Sequence, residues 1–372
     1  MIYKLMDEKR SAKSGLTAAL SKKSSAFSLD NFKKSKNLTE GSKFKKQEWI
    51  PLSPAFNSAI GFPGLPKGHI TVIRGHSDTG KTTAMIETAI SAQKMGLLPV
   101  FIITEMKWSF EHAKEMGFEV EAIPDPETGE VTYTGEFLYI DRSSLNVIED
   151  VSSFIIDILN EQKKGNLPYD LVFLWDSAGS IPSAQSVEAK KNNAMWNAAA
   201  MSIQFSNFVN QEFSMSRKAS SQYTNTFIVV NKVRVEYPVS NPMEKPKLRN
   251  KGGDVMYWDA TLVITFGNIT NSGVSKVEAT KDKKTVVFAK RTKVSVDKNH
   301  LTESNTSSRI VMTAHGFIED TPTAIEKYKK EHRHEWLKVL GEGDFDVVYE
   351  PDMQEDMKPR YENVIDDEIG DE

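Results

Sequence analysis

Along the middle of the chain, short and nearly unbroken apolar runs alternate with segments whose apolar residues recur at helical spacing. The runs are Ile70–Ile73, Pro99–Ile103, Phe137–Ile140, Leu171–Trp175, Thr226–Val230, Asp259–Thr265 and Thr285–Ala289. Apolar on consecutive positions, such runs suit strands buried on both faces of a sheet. Between them, Ala84–Ile90 and Ser109–Met116, the latter closed by Gly117, read as helices. From Leu145 to Gln162, the residues Val147, Ile148, Val151, Phe154, Ile155, Ile158 and Leu159 fall on one helical face. A further helix is predicted from about Trp196 to Phe213. Strands alternating with helices predict an α/β fold with a doubly wound, mostly parallel sheet. In such sheets ligands sit at the carboxyl ends of the strands. Pro124, Pro126 and Thr128-Gly129, followed by the alternating Val131-Thr132-Tyr133, predict a hairpin or loop inserted at the domain edge. No internal repeat is visible.

Both ends lack this pattern. In residues 1–47 the apolar positions, mainly Leu16, Leu20, Phe27, Leu29, Phe32, Leu38 and Phe44, are too scattered to form a core. That segment reads as a basic arm with one short helix. The core domain is expected over 48–320, and 321–372 as a C-terminal helix and an acidic tail, disordered by composition.

Charge sharpens the contrast between the ends. The formal net charge is only −4. Yet Lys22-Lys23, Lys33-Lys34, Lys36, Lys43 and Lys45-Lys46 crowd the arm, and Asp366-Asp367-Glu368 and Asp371-Glu372 crowd the tail. A basic arm suits contact with a phosphate backbone or a neighbouring subunit, and equally a solvated tail. No apolar run approaches the ~20 residues of a membrane span, and no signal-peptide core is seen. With no cysteine, disulfides and thiolate chemistry are excluded, and a cytoplasmic location is expected.

The strongest chemical signal is Gly75-His76-Ser77-Asp78-Thr79-Gly80-Lys81-Thr82-Thr83, which fits G-x-x-x-x-G-K-[ST]. Gly75 and Gly80 can take positive φ, so the backbone can wrap with its N–H groups inward. Lys81 can reach the β- and γ-phosphates of a nucleotide, and the Thr82 hydroxyl can hold Mg²⁺. From Thr83 a helix should open whose N-terminal dipole favours an anion. The context fits too, with a buried strand before the loop and a helix after it.

Two acids belong with this loop. Asp176 ends an apolar strand about 95 residues after the P-loop and suits the acid that holds Mg²⁺. Ser177 follows and could support the same site. Glu105 lies just past the strand next in sequence to the P-loop strand, where a carboxylate can orient an attacking water as general base.

Taken in order, these pieces resemble the RecA-type recombinases and, among them, the phage UvsX-like branch. GLPKGHITVIRGHSDTGKTT resembles that family's entry into its P-loop, and VFIITEMKWSF the strand ending in its catalytic glutamate, here Glu105. LVFLWDSAGSIPSAQ resembles the strand bearing its Mg²⁺ acid, here Asp176, and the start of its first DNA-binding loop. FIVVNKVRVEYP and GGDVMYWDATLVITF resemble the borders of its second DNA-binding loop, the latter carrying Gly252-Gly253. VVFAKRTKVSV resembles the strand whose lysines reach a neighbouring subunit's nucleotide. The likeness covers about residues 50 to 320.

The resemblance implies specific roles. Loop one would be Ile181–Trp196 and loop two Val233–Gly253, with Lys190, Lys191, Lys232, Arg234, Lys245, Lys247, Arg249 and Lys251 in or beside them. Basic, unpatterned loops at a strand edge suit a channel that tracks phosphates. Met195, Trp196, Tyr237 and Val239 could wedge between bases. Lys290, Arg291 and Lys293 are candidates for stabilising transition-state charge across a subunit interface, and which one acts stays open. The chain also departs from the family. Asn231 followed by Lys232 stands where a Gln or His senses γ-phosphate, with Lys232 at the aligned position. His112 falls where an aromatic ring often stacks on adenine. The family's small N-terminal module is not recognisable in residues 1–47.

The function so implied is that of an ATP-dependent homologous-recombination and repair protein with ATP and Mg²⁺ as cofactors. It would act as a DNA-dependent ATPase that forms a helical filament of its own copies on single-stranded DNA and exchanges strands with double-stranded DNA. Single-strand-binding and mediator proteins are conceivable partners, and the acidic tail could compete with DNA for the basic loops. Two alternatives stay open: a ring-forming helicase or RadA-like motor, and a non-hydrolysing recombination mediator.

Overall fold

The computed structural model describes residues 43–341 apart from 106, 237–246, 270–274 and 303–304. The strands of the described residues are β1 (Trp49–Ile50), β2 (Leu65–Pro66), β3 (Ile70–Gly75), β4 (Leu98–Ile103), β5 (Glu121–Pro124), β6 (Val131–Thr134), β7 (Leu138–Asp141), β8 (Leu171–Asp176), β9 (Thr226–Glu236), β10 (Lys247–Asn250), β11 (Leu262–Gly267), β12 (Lys276–Lys281), β13 (Lys284–Asn299), β14 (Ser307–Thr313) and β15 (Gly316–Glu319). One sheet dominates, in the order β15-β14-β13-β11-β3-β9-β8-β4-β7. From β11 to β7 all neighbours are parallel. The fold is therefore mixed α/β around a large central sheet with a parallel block, as the alternation of runs and helices predicts.

The parallel block is buried on both sides, which is why its strands read as continuous apolar runs. Ile73, Phe101, Leu174, Val172, Ile228, Val230 and Ile264 join one core with the helices Pro54–Ile60 and Lys81–Lys94. Val72, Val100, Phe173, Trp175, Phe227, Val229 and Val263 join the other, beneath the helix Ile148–Lys163 and the helical run 194–216. The period of two along a strand sends alternate side chains to the two layers.

Ile148–Lys163 shows how sequence makes a helix here. The Asp150 carboxylate accepts the amides of Asn146 at 2.7 Å and Val147 at 3.0 Å, satisfying donors that helix geometry leaves open. Ile148, Val151, Ile155 and Leu159 are buried at helical spacing, each worth ~1.5–3 kcal/mol of transfer free energy. Gly165, at φ 86°, stops the helix. An Ile155→Asp change would bury a charge in that face and break it.

Three elements differ from the sequence expectation. The run Thr285–Ala289 is only the first part of the 16-residue β13, which is antiparallel to β11, β12 and β14. The reason is local: Asp282 and Lys283 hold φ of 47° and 66° in a two-residue turn, the geometry of a tight hairpin rather than of a crossover. The helix expected from about Trp196 starts at Ala194, capped by the Asn193 side chain, and its middle, Ser202–Val209, is π-helical. Loop two is not irregular at its base. There β9 runs on to Glu236 and pairs antiparallel with β10, Arg249 lying opposite Arg234. The hairpin expected at the domain edge forms as β5 and β6.

Of the basic arm, only its last residues are described. Residues 43–45 dock on 217–219, with Lys45 N–H donating to Arg217 O at 3.1 Å and Lys45 Nζ to Tyr223 O at 2.9 Å. The rest of the arm and the acidic tail lie outside the described residues. Among those described, no helix is long and apolar enough to cross a membrane.

Candidate functional site

The P-loop connects the carboxyl end of β3 to the helix Lys81–Lys94. Gly80 has φ 106°, and a Cβ there would come within 2.9 Å of the Phe317 ring, so both backbone angle and space call for glycine. At Gly75 a Cβ would come within 2.3 Å of Phe266 O. Thr79 Oγ1 donates to His76 O at 2.8 Å, and Lys81 Nζ donates to the same carbonyl. The helix has no side-chain cap and no acid in its first turn. Its leading amides therefore have no side-chain acceptor, which suits an anion. Lys81 is buried, and that burial lowers the pKa of its amine; Asp176 and Glu105 oppose the shift while Lys232 adds to it. A buried ammonium bonded to one carbonyl, facing open helix amides, fits a phosphate group.

Sheet order brings the two acids together. Although β3 and β4 are consecutive in the parallel block by sequence, β9 and β8 lie between them. In exchange β4 lies against β8, with Ile103 opposite Asp176. Beyond the strand end, the amides of Thr104 and Glu105 donate to Asp176 O at 2.8 and 3.2 Å. Thr82 Oγ1 donates to Asp176 Oδ2 at 2.9 Å, so a hydroxyl and a carboxylate share one corner. Two adjacent hard oxygens fit Mg²⁺, which takes oxygen ligands and retains several waters. Burial pushes the Asp176 carboxyl up to about 6, against the Thr82 hydrogen bond.

Glu105 is held on both oxygens. Ser177 Oγ donates to Oε1, and Lys232 Nζ stands 2.7 Å from Oε2. Burial alone would raise this carboxyl, but the Lys232 and Ser177 hydrogen bonds outweigh it and hold the group below its ordinary range. Lys232 reaches the site because β9 borders β3 in register, Gly75 opposite Lys232.

Of the other residues expected at the nucleotide, His112 and Lys290 share a cleft with Thr83, and Arg291 is drawn away. His112, on the short helix Phe110–Glu115, lines a cleft of about 260 Å³ with Thr83, Lys290, Met312 and Thr313, all from one chain. Lys290 and Lys293 are exposed on β13. Arg291 instead donates from Nε to Asp320 Oδ1 at 2.6 Å, within its own subunit.

Next to the acids opens a cavity of about 780 Å³, between the segments expected as loops one and two. Lys190, Lys191, Met195, Arg234, Arg249 and Lys251 are among its lining. Loop one is partly folded rather than irregular. Ala184–Glu188 is a helical turn capped by Ser183, and Asn197 Oδ1 accepts from Ser183 N at 2.9 Å and Ser186 Oγ at 2.7 Å. Met195 is 74% exposed, and Trp196 is half-buried. Gly252 explains the double glycine at the exit of loop two. Its φ is 85°, and a Cβ there would sit 3.2 Å from Gly179 Cα, so the exit of loop two meets the turn that leads into loop one backbone to backbone. At Gly253 a Cβ would meet the Ala198 Cβ at 2.9 Å. Arg249 is not free to face a ligand. Its Nε lies 2.7 Å from Glu236 and its Nη1 3.4 Å from Asp254. Tyr237, Val239 and Lys245 lie outside the described residues.

Sequence reasoning missed Arg74. It is buried, and it donates to Thr265 Oγ1 at 2.9 Å, Asn250 Oδ1 at 3.3 Å and Asp297 Oδ2 at 2.8 Å, with its guanidinium 4.6 Å above the Tyr257 ring. Arg74 thus ties the residue before the P-loop to the end of loop two. A charge inside an apolar strand was the available signal, because a buried guanidinium needs partners. Asn231 was seen only as a departure from a family pattern. It is buried at the loop junction with Oδ1 unbonded.

Residues 20–157 match the RecA N-terminal domain family. That match contains the P-loop and Glu105, whereas Asp176, Lys232 and both loops lie beyond it. The chain is 42% identical over 86 residues to Protein RecA of Aquifex aeolicus, covering 22% of this chain and 25% of that protein. It is 35% identical over 104 residues to Protein RecA of Arthrobacter sp. (27% of this chain, 30% of the relative) and 32% over 107 residues to that of Clavibacter michiganensis subsp. michiganensis (28% and 30%). The chain thus spans less than a third of the length of the curated relatives it matches.

Proposed function

We propose that the chain is a RecA-like recombination ATPase that binds single-stranded DNA in the cavity between loops one and two, hydrolyses ATP at the P-loop and works as a filament of its own copies. The observation that carries this reading is the junction at Gly179 and Gly252. There the basic cavity, lined by Gly179, Arg234 and Lys251, opens just past Asp176 on one strand and Lys232 on the other, and Lys251 N–H donates to Lys232 O at 2.9 Å, so the DNA groove adjoins the phosphate site through the backbone. The partial match to RecA proteins supports the same reading.

Lys81 and the leading amides of its helix hold the β- and γ-phosphates. Thr82 and Asp176 hold Mg²⁺, which supplies charge neutralisation for phosphoryl transfer when bound. Glu105 accepts the proton of the attacking water once Lys232 yields its carboxylate. Lys190, Lys191, Arg234 and Lys251 face the DNA backbone, and Met195 is exposed for contact with bases. Lys290 and Lys293 remain exposed for a neighbouring subunit, whereas Arg291 is committed to Asp320.

Two measurements test the proposal. ATP turnover with Mg²⁺ should rise several-fold on adding single-stranded DNA. Electron microscopy with a non-hydrolysable ATP analogue should show helical filaments on that DNA. Closed rings would indicate a motor of the same architecture, and DNA binding without turnover would indicate a mediator.

A further inference from the structure

We infer that His315, His332 and Glu335 form a site for a transition-metal cation of the zinc class, remote in role from the P-loop chemistry. One ligand atom from each of the three lies within 4.8 Å of the others. His315 Nε2 stands 3.4 Å from Glu335 Oε1, and His332 Nδ1 stands 2.9 Å from the same oxygen. Tetrahedral zinc ligands at ~2.1 Å lie about 3.4 Å apart, so the His315–Glu335 separation matches what an ion requires, and the His332–Glu335 hydrogen bond would open slightly to admit it. Two imidazoles and one carboxylate make a set borderline cations take readily, and one that Mg²⁺, with its preference for oxygen, does not.

The surroundings fix the donors. His315 sits in the turn between β14 and β15, and its Nδ1 lies 2.9 Å from the Tyr328 hydroxyl. That leaves Nε2 as the metal-facing nitrogen, with the second ring nitrogen hydrogen-bonded as ligating histidines generally have it. The His315 and His332 rings stack at 4.0 Å and Tyr328 stacks on His332 at 4.3 Å; because an imidazole binds a metal in its own plane, the His332 ring must tilt out of this stack to share an ion with His315. His332 links the helices Pro322–Glu331 and Arg333–Val339, which Trp336 Nε1 ties together by donating to Lys329 O at 2.9 Å. All three side chains are partly exposed, which gives an ion a way in. His334 Nε2, 3.7 Å from Glu335 Oε1, is near enough to supply a fourth donor after a ring rotation; otherwise water completes the shell. Once bound, the ion would clamp the two C-terminal helices to the β14–β15 turn.

The full-length chain, stripped with a chelator and kept in excess Mg²⁺ so that hard-oxygen sites are filled, is titrated with Zn²⁺ by calorimetry and with Co²⁺ by visible absorption. The expected result is one ion per chain, with the Co²⁺ bands of a four- or five-coordinate nitrogen and oxygen site. The thermal midpoint should rise with Zn²⁺ concentration. His315→Gln, His332→Gln and Glu335→Gln should each weaken Zn²⁺ binding by ~10²-fold or more, since losing even a supporting partner costs ~10–100-fold. His300→Gln, on an exposed loop, should bind as the unmodified chain does. If the variants do not fold, Zn²⁺ should still protect His315 and His332, but not His300, from acylation mapped by mass spectrometry. Absence of one-to-one binding, or unchanged affinity in His315→Gln, or equal acylation of all three histidines, overturns the site.

Discussion

Lys232 Nζ stands 2.7 Å from Glu105 Oε2, so the residue expected to sense the γ-phosphate instead grips the carboxylate expected to orient water. An ion pair of this kind stabilises the charged carboxylate and makes it a poorer base. Under the proposed function, Lys232 must exchange Glu105 for another anion before hydrolysis, and DNA in the adjoining cavity is placed to favour that exchange. Lys232→Gln should therefore uncouple the two. The ratio of DNA-stimulated to basal ATP turnover should fall by on the order of tenfold, the equivalent of one charge-assisted hydrogen bond. Steady-state phosphate release with and without single-stranded DNA measures it. An unchanged ratio would mean that the pair does not restrain Glu105.

Glu105→Gln and Lys81→Ala separate catalysis from binding. Gln keeps the shape of Glu105 but cannot take a proton, so nucleotide should still bind while turnover drops by ~10²-fold or more. Lys81→Ala removes the buried ammonium of the P-loop, and no other described cation shares its carbonyl partner His76. Nucleotide affinity and turnover should fall together. Fluorescent-nucleotide binding beside single-turnover hydrolysis distinguishes the two patterns. Normal turnover in either variant moves the chemistry elsewhere.

Much of this arrangement was legible in the sequence, and the rest was hidden for identifiable reasons. Strands buried on both faces announce themselves as unbroken apolar runs, and Gly75 to Thr83 combines a spacing with a strand and a helix on either side. What the runs do not encode is their order in space. Nothing in Leu98–Ile103 says that it neighbours β8 rather than β3, yet that adjacency brings Glu105 to Asp176. The antiparallel wing was missed because the alternation of β12 is carried by small and charged residues, Lys276 to Lys281, and the chain turns through Asp282-Lys283, a pair without the usual glycine. The ribbon at loop two was missed because Val233 and Val235 lie among charges that mask their alternation, and Arg249 is removed from the free cations by partners at Glu236 and Asp254. Arg74 reads as an interruption of an apolar strand until Asp297 and Asn250 are seen beside it.

The structure also sorts the basic residues of the groove. Lys190, Lys191 and Lys251 line the cavity, whereas Arg249 is held by two acids. Each phosphate contact contributes ~0.7 to the log–log salt slope for single strands. The triple change of Lys190, Lys191 and Lys251 to Ser should flatten that slope by about 2 and weaken binding at physiological salt. Arg249→Ser should change the slope less, because its charge is already largely neutralised. Fluorescence anisotropy at several salt concentrations reads both. A steeper loss for Arg249→Ser than for the triple variant would place the DNA on the ribbon rather than across the cavity.

Stability offers a test independent of nucleotide and DNA. Glu87, buried on the P-loop helix, accepts the amide of Ser53 at 3.0 Å and that of Phe317 at 2.9 Å, joining the entry segment, the helix and β15. Burial raises its carboxyl above the ordinary range, with the two amides pulling the other way. The folded chain therefore holds this proton more tightly than the unfolded chain does. The stability that Glu87 contributes through this proton is fully present below its unfolded pKa and is lost as pH rises through the higher folded value. Gln at this position does not titrate and leaves one buried amide without its acceptor, at ~1–3 kcal/mol. Denaturant unfolding of the unmodified chain and of Glu87→Gln should then show the largest advantage for the unmodified chain near pH 4 and a smaller one near pH 8. A gap that widens with pH would mean that the two amide hydrogen bonds outweigh burial, and that Glu87 is held as a charged anchor between helix and sheet.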